Sequence, residues 1–247
     1  MDVNPRPAAE YVPRGREALS LQPIKPIRVM LVDDHRSVLW GLEKLIDGDR
    51  PRMEVVGKAT SCAAAMELAE RTSPDVVVLD LDLGGENACE IIPVLVNGGG
   101  TRVLVWTGMR DSKAREQSIL RGASGLVQKE EPAETLLRAI DKVHRGELWL
   151  DRATTGLIFI ELSSRKEGAL PDAEDRRIAS LTAREREIIG QLVGDPGADN
   201  RRLAARLHIG EHTLRNHLSR IYDKLGVPNR LELYVFAQRH SIKPLAA

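Results

Sequence analysis

From Ile27 onward the chain alternates between two hydrophobic periods. Short apolar runs (Arg28-Val-Met-Leu-Val32, Glu54-Val-Val-Gly57, Asp75-Val-Val-Val-Leu79, Arg102-Val-Leu-Val-Trp106 and Gly125-Leu-Val-Gln128) are separated by segments whose apolar residues recur every three to four positions. The runs predict five strands, and the segments between and after them predict five helices. Runs that are apolar at nearly every position suit strands covered on both faces, and a helix between successive strands makes the connection a parallel crossover. Residues 27–148 are therefore expected to form a doubly wound α/β domain. Its last helix should begin near Pro132, a favoured first-turn residue, run through Leu136, Leu137, Ile140 and Val143, and stop at Gly146.

Beyond residue 148 that alternation ends. Residues 149–180 combine an apolar patch, Leu157-Ile-Phe-Ile160, with a charged stretch through Pro171–Arg177, and read as a linker led by a short helix. Thr182-Ala-Arg-Glu185 then has the form of a capping box, in which a hydroxyl and a carboxylate each bond a free backbone N–H at a helix start. Further helices are expected after the Gly194–Asn200 turn, after Gly210, and from Asn229, which has Glu232 three residues on. Residues 181–247 thus read as an all-α domain of four short helices. At the other end, residues 1–26 hold five prolines and little periodicity, and read as a flexible tail.

Composition changes this picture in one respect. The formal net charge of the 247 residues is zero, but it is unevenly distributed. Residues 27–148 carry 16 Lys/Arg against 20 Asp/Glu, a net of −4, whereas residues 181–247 carry 11 against 7, a net of +4. A basic C-terminal module points to a polyanionic partner. The two cysteines, Cys62 and Cys89, have no metal-binding spacing and read as reduced structural thiols. No stretch approaches the roughly 20 apolar residues of a membrane span, and charges with Pro5, Pro7 and Pro13 stand where a signal peptide needs an apolar run. A cytoplasmic protein with no membrane partner is expected.

The candidate chemistry sits at strand ends. Asp33 and Asp34 directly follow the first strand and Asp80 the third. In a doubly wound sheet, ligands gather at the carboxyl ends of strands where the strand order reverses, which brings strands one and three together. An Asp-Asp pair alone reads equally as a turn or helix cap. With Asp80 at the neighbouring strand end, three carboxylates converge, and an oxygen-only donor set of that kind suits Mg²⁺ or Mn²⁺. Asp80 could then attack a phosphoryl donor while the metal and Lys129 offset charge and Thr107 supplies a hydroxyl. His35 reads as a helix-start residue.

Taken in order, Leu31-Val-Asp-Asp-His35, Val78-Leu-Asp-Leu-Asp82, Trp106-Thr-Gly108 and Val127-Gln-Lys129 resemble the receiver domains of two-component response regulators. The resemblance implies a flavodoxin-like (βα)5 fold with sheet order 2-1-3-4-5. It makes Asp80 the phosphoacceptor, and gives Mg²⁺ to Asp33, Asp34, Asp80 and the backbone carbonyl of Asp82. Thr107 becomes the switch hydroxyl and Lys129 the phosphoryl partner. Leu126 stands at the second switch position, where the family often carries Tyr or Phe, and the loop after Asp80 reads Leu83-Gly-Gly-Glu-Asn87 instead of the frequent Met-Pro pattern.

In the C-terminal domain, Leu214, Leu218, Ile221 and Leu225 form an inward helical stripe, leaving Arg215, Asn216, Ser219 and Arg220 on the other face. Such a helix fits the major groove, where Arg reads guanine and Asn adenine. Leu181-Thr-Ala-Arg-Glu-Arg-Glu187, Leu203–Ile209, Thr213-Leu-Arg-Asn-His217 and Lys224-Leu-Gly-Val227 resemble the LuxR-type helix-turn-helix of the NarL/FixJ subfamily. By that resemblance Arg215, Asn216 and Ser219 face bases, and Thr213, Arg220 and Lys224 contact phosphates. The last helix would serve homodimerisation, while His217 reads either as packing or as a backbone contact. The expected function is a DNA-binding transcriptional regulator, not primarily an enzyme, that accepts a phosphoryl group from a sensor histidine kinase. Two other readings are a receiver that never takes phosphate and a phosphatase similar to haloacid dehalogenases, suggested by Asp80-Leu-Asp82.

Overall fold

A computed structural model of the chain describes residues 25–97, 100–109, 111–151, 154–156 and 171–242. Most of the N-terminal tail and the apolar patch at residues 157–160 lie outside the described residues. The N-terminal part runs β1 (Ile27–Val32), α1 (Arg36–Asp47), β2 (Met53–Ala59), α2 (Cys62–Thr72), β3 (Val76–Leu79), α3 (Ile92–Val96), β4 (Arg102–Thr107), α4 (Ser112–Leu120), β5 (Gly125–Gln128) and α5 (Ala133–His144). The five strands form one parallel sheet in the order β2-β1-β3-β4-β5.

Period-2 alternation divides the core between the two faces of this sheet. Ile27, Val29 and Leu31 of β1 pack with Leu39, Leu42 and Ile46 of α1 and with Leu136, Ile140 and Val143 of α5. Met30 and Val32 point the other way, into a cluster with Ala65, Ile92, Leu95 and Ile119 from the helices of the opposite face. Apolar positions three and four apart place the buried stripe of α5 at Leu136, Ala139, Ile140 and Val143. Each fully buried Leu or Ile removed from water here contributes about 2 kcal/mol before entropy is counted.

The C-terminal part comprises α6 (Pro171–Ala179), α7 (Ala183–Gly194), α8 (Asn200–Arg206), α9 (Glu211–Leu225) and α10 (Arg230–Arg239). The capping box at Thr182 and Glu185 is formed, and Asp199 and Asn229 cap α8 and α10 by accepting bonds from the N–H groups of Arg202 and Glu232. The four helices expected from residue 181 are present, and the segment read as linker contributes a fifth, α6, packed on α9. Leu192, Leu203, Leu214, Leu218, Ile221 and Phe236 share their own core.

The two parts are in contact. Leu231 and Val235 of α10 join the cluster of the N-terminal part that contains Ile119 and Ala123, and the side chain of Asn229 donates to the carbonyl of Ile119 at 3.0 Å. The backbone N–H of Asn200 donates to the carbonyl of Arg145 at 3.2 Å.

Candidate functional site

Register brings the acids together. Val32 pairs with Leu79 across β1 and β3, so Asp33 and Asp80, the next residues, leave the sheet side by side. Asp33 is fully buried and Asp80 nearly so. The ammonium of Lys129, which follows β5, lies 2.7 Å from an oxygen of each. Burial alone would lower the Lys129 pKa, but the hydrogen bonds and negative charges of Asp33 and Asp80 outweigh it and raise the value above the ordinary lysine range. The remaining oxygens are also engaged: Asp33 Oδ1 accepts from the His35 N–H at 2.9 Å, and Asp80 Oδ1 from the Leu81 N–H at 2.7 Å.

Thr107, at the end of β4, is buried, its Oγ1 accepts from the Met109 N–H, and its carbonyl accepts from the N–H of Lys129. Thus the switch candidate and the cationic candidate are joined through backbone. Lys129 also lies 4.9 Å from the ring centroid of Trp106. Leu126 is buried in the core beside α4, a purely apolar occupant of its position.

Asp34 is half-buried, and one of its oxygens lies 2.7 Å from Nδ1 of the exposed His35. Ligand atoms of Asp33, Asp34 and His35 fall within 4.8 Å of one another. The side chain of Asp82 serves a turn instead: its Oδ1 accepts from the Gly85 N–H at 2.9 Å. Asp82–Leu83 pairs antiparallel with Glu86–Asn87, and Gly84 and Gly85 between them have φ of 67° and 95°, which L side chains rarely adopt. The glycines that replace the expected loop pattern are therefore what closes this hairpin beside the acids.

On α9, Leu214, Leu218, Ile221 and Leu225 are buried as expected. Thr213, Asn216 and Arg220 are exposed, while Arg215, His217 and Ser219 are half-buried. Lys224 is engaged within its own domain, donating to Glu185 Oε2 at 2.7 Å and to the Ser180 carbonyl at 3.0 Å.

Residues 29–141 match the response regulator receiver domain family, and residues 179–237 the luxR family of bacterial regulatory proteins. The DNA-binding transcriptional activator DevR/DosR of Mycobacterium tuberculosis is 35% identical over 212 residues, spanning 85% of this chain and 94% of its own. The chain belongs to the NarL/FixJ family of response regulators. The nitrate/nitrite response regulator NarL of Escherichia coli is 30% identical over 219 residues, spanning 88% of this chain and 98% of its own. A LuxR-family two-component response regulator from Aurantimonas sp. SI85-9A1, of known structure, is 33% identical with a TM-score of 0.50, covering 55% of this chain and 97% of that one.

In this response regulator the face of α9 that carries Arg215 lies against the receiver. Arg215 Nε is buried and has no hydrogen-bond partner among the described residues. Burial, then the charges of Arg215 and Arg102, lower the His144 pKa to about 4, against the opposing pull of Asp75 and Asp141. Arg102, at the start of β4, is half-buried within range of the charges of Arg215 and Arg230 and of Tyr222. None of Arg102, His144, Tyr222 or Arg230 stands out in sequence. They lie on separate elements, and only docking of the two domains makes them neighbours. Among the described residues, no helix is long and apolar enough to cross a membrane.

Proposed function

We propose that this regulator accepts a phosphoryl group on Asp80 and uses it to control DNA binding by α9. The observation that carries the reading is the Lys129 ammonium held 2.7 Å from both Asp33 and Asp80 at the carboxyl end of the sheet, beside the buried Thr107 hydroxyl. Two buried carboxylates gathered on one ammonium make a pocket that favours positive charge, and its oxygen donors fit a divalent ion of the Mg²⁺ or Mn²⁺ type. Asp33, Asp34, Asp80 and the Asp82 carbonyl would hold it. Bound there, the metal offsets charge on the transferring phosphoryl group.

The chain's own groups do the rest. Asp80 Oδ attacks phosphorus and the donor's leaving group departs. Lys129 gives up its bond to Asp80 and pairs with a new phosphoryl oxygen. Thr107 then turns its hydroxyl from the Met109 N–H toward that oxygen, drawing β4 and α4 with it. Because α4 contacts Asn229 and α10, this shift loosens the docked DNA-binding domain and releases Arg215 from the seam, so that it can face bases with Asn216 and Ser219, while Thr213 and Arg220 lie on phosphates. Lys224 joins them only if it leaves Glu185. The donor is a sensor histidine kinase, the partner double-stranded DNA, and the active form a homodimer. Residues 27–148 serve as the receiver, 149–180 as the connection and 181–247 as the DNA-binding domain.

Incubation with Mg²⁺ and acetyl phosphate should add one phosphoryl mass to the wild type and none to Asp80→Asn. An unmodified wild type would favour a receiver that works without phosphate. The phosphatase reading gains no support, since the Asp82 side chain is committed to the hairpin turn and the acid pair lies upstream, just after β1.

A further inference from the structure

Where the cores of the two domains meet, they leave a cavity of about 350 Å³. Leu148 and Leu231, which pack with the core of the receiver, face it together with Leu192 and Ala198 from the core of the DNA-binding domain, and Pro196 and the ring of Tyr234 complete the apolar wall. Its polar groups are few: the Glu147 carboxylate, the Arg230 guanidinium and, at the rim, the exposed Thr155. Their charges are already balanced. Arg230 donates to the Ala198 carbonyl at 2.5 Å and to Asn200 Oδ1 at 3.5 Å, and Glu147, Asp195 and Asp199 bring negative charge to it. Glu147 in turn pairs with Lys142 through Oε2 at 3.2 Å.

We infer that this cavity binds a neutral organic molecule of about a dozen non-hydrogen atoms, a flat apolar body carrying one amide-like group, held jointly by the receiver and the DNA-binding domain. The size follows from the space, since each such atom takes roughly the volume of one water, about 30 Å³. The apolar body follows from the wall, which offers water few polar partners but gives a planar group the ring of Tyr234 to pack on. The balance of charge sets the rest. A carboxylate would lie against Glu147 and an ammonium against Arg230, and either would be buried without an unmet charge to answer it. An amide suits both neighbours: its carbonyl accepts from an N–H of Arg230 beyond the two already engaged, and its own N–H donates to Glu147 Oε1. Because the walls belong to both domains, the molecule binds the docked arrangement and leaves on opening. It therefore favours the closed regulator and gives the protein a second input besides Asp80.

The test uses the unphosphorylated full chain and does not involve Asp80, so it stands or falls separately from the phosphoacceptor reading. Three probes share one indole body: indole-3-acetamide is neutral, indole-3-acetate an anion and tryptamine a cation. By calorimetry the amide should bind with a Kd of about 1 mM or tighter, and the two ions at least about tenfold more weakly. At ten times its Kd the amide should raise the melting midpoint by about 3 °C and weaken binding to a duplex selected from a random pool about tenfold. Thr155→Trp, which fills the cavity from its exposed rim, should abolish all three effects. Glu147→Gln should let the acetate bind as well as the amide, a change that a merely structural role for Glu147 would not produce, and it keeps the test open if the first variant fails to fold. Crystals soaked in the amide should show it between Leu192 and Tyr234. No binding of the amide, equal binding of all three probes, DNA affinity unchanged by the amide, or binding unaltered in Thr155→Trp overturns the proposal. So does a soaked crystal in which Leu157–Ile160 of the chain itself fills the cavity, and so does density without a solution effect, which would mark binding at crystal concentration only.

Discussion

Asn229 carries two loads that a single substitution can separate. Its Oδ1 accepts from the Glu232 N–H at 2.9 Å and caps α10, while its Nδ2 donates across the seam to the Ile119 carbonyl at 3.0 Å. Serine caps helices about as well as asparagine but has no amide to send across. Asn229→Ser therefore removes the crossing bond and keeps the cap. The Ile119 carbonyl still accepts from the Gly122 N–H at 2.9 Å, so the loss is one hydrogen bond rather than an orphaned buried group. That is about 1 kcal/mol, which raises the undocked population about fivefold. Fluorescence anisotropy on a duplex enriched from a random pool by the phosphorylated protein measures the consequence. Unphosphorylated Asn229→Ser should bind about fivefold more tightly than the wild type, with the two equal after acetyl phosphate treatment. Equal affinities before phosphorylation, or the same gain afterwards, would refute the claim that this bond holds the regulator closed. Asn229→Ala, which loses the cap as well, should additionally destabilise α10 by about 1 kcal/mol.

Beryllofluoride should change Trp106 fluorescence as Lys129 is drawn from its position 4.9 Å from the indole, and Lys129→Met should abolish the response while the protein stays folded. Docking should weaken in acid: the His144 pKa of about 4 lies below the ordinary 6.5, so the proton binds better once the domains part. The closed form is at full strength above pH 6.5 and loses up to about 1.4 kcal/mol per pH unit below it, seen as a falling melting midpoint that His144→Gln flattens. Gly146→Ala should open the regulator through both its positive φ and its collision with Asn200, read as tighter DNA binding without phosphate.

Much of the acidic site was legible before any coordinates. Asp33, Asp34, Asp80, Thr107 and Lys129 each sit at or within two residues of the end of a strand that hydrophobic runs reveal, and parallel order then dictates which strand ends meet. Asp82 was expected to serve through its backbone carbonyl, and what its side chain does, accepting from the Gly85 N–H to close the hairpin, had no signal in the spacing. Lys224 has the look of a free cation on the recognition helix, but Glu185, distant in sequence, claims it.

Strand, helix and cap are local properties, written in periods of two and 3.6 and in residues three apart, and the chain alone was enough to specify them. The placement of Arg215 against the receiver with its Nε buried, the double duty of Asn229, and the meeting of Arg102, Tyr222, Asn200 and Arg230 were decided only by docking. Those residues belong to separate elements, and no short-range pattern records which surfaces of two finished domains will touch.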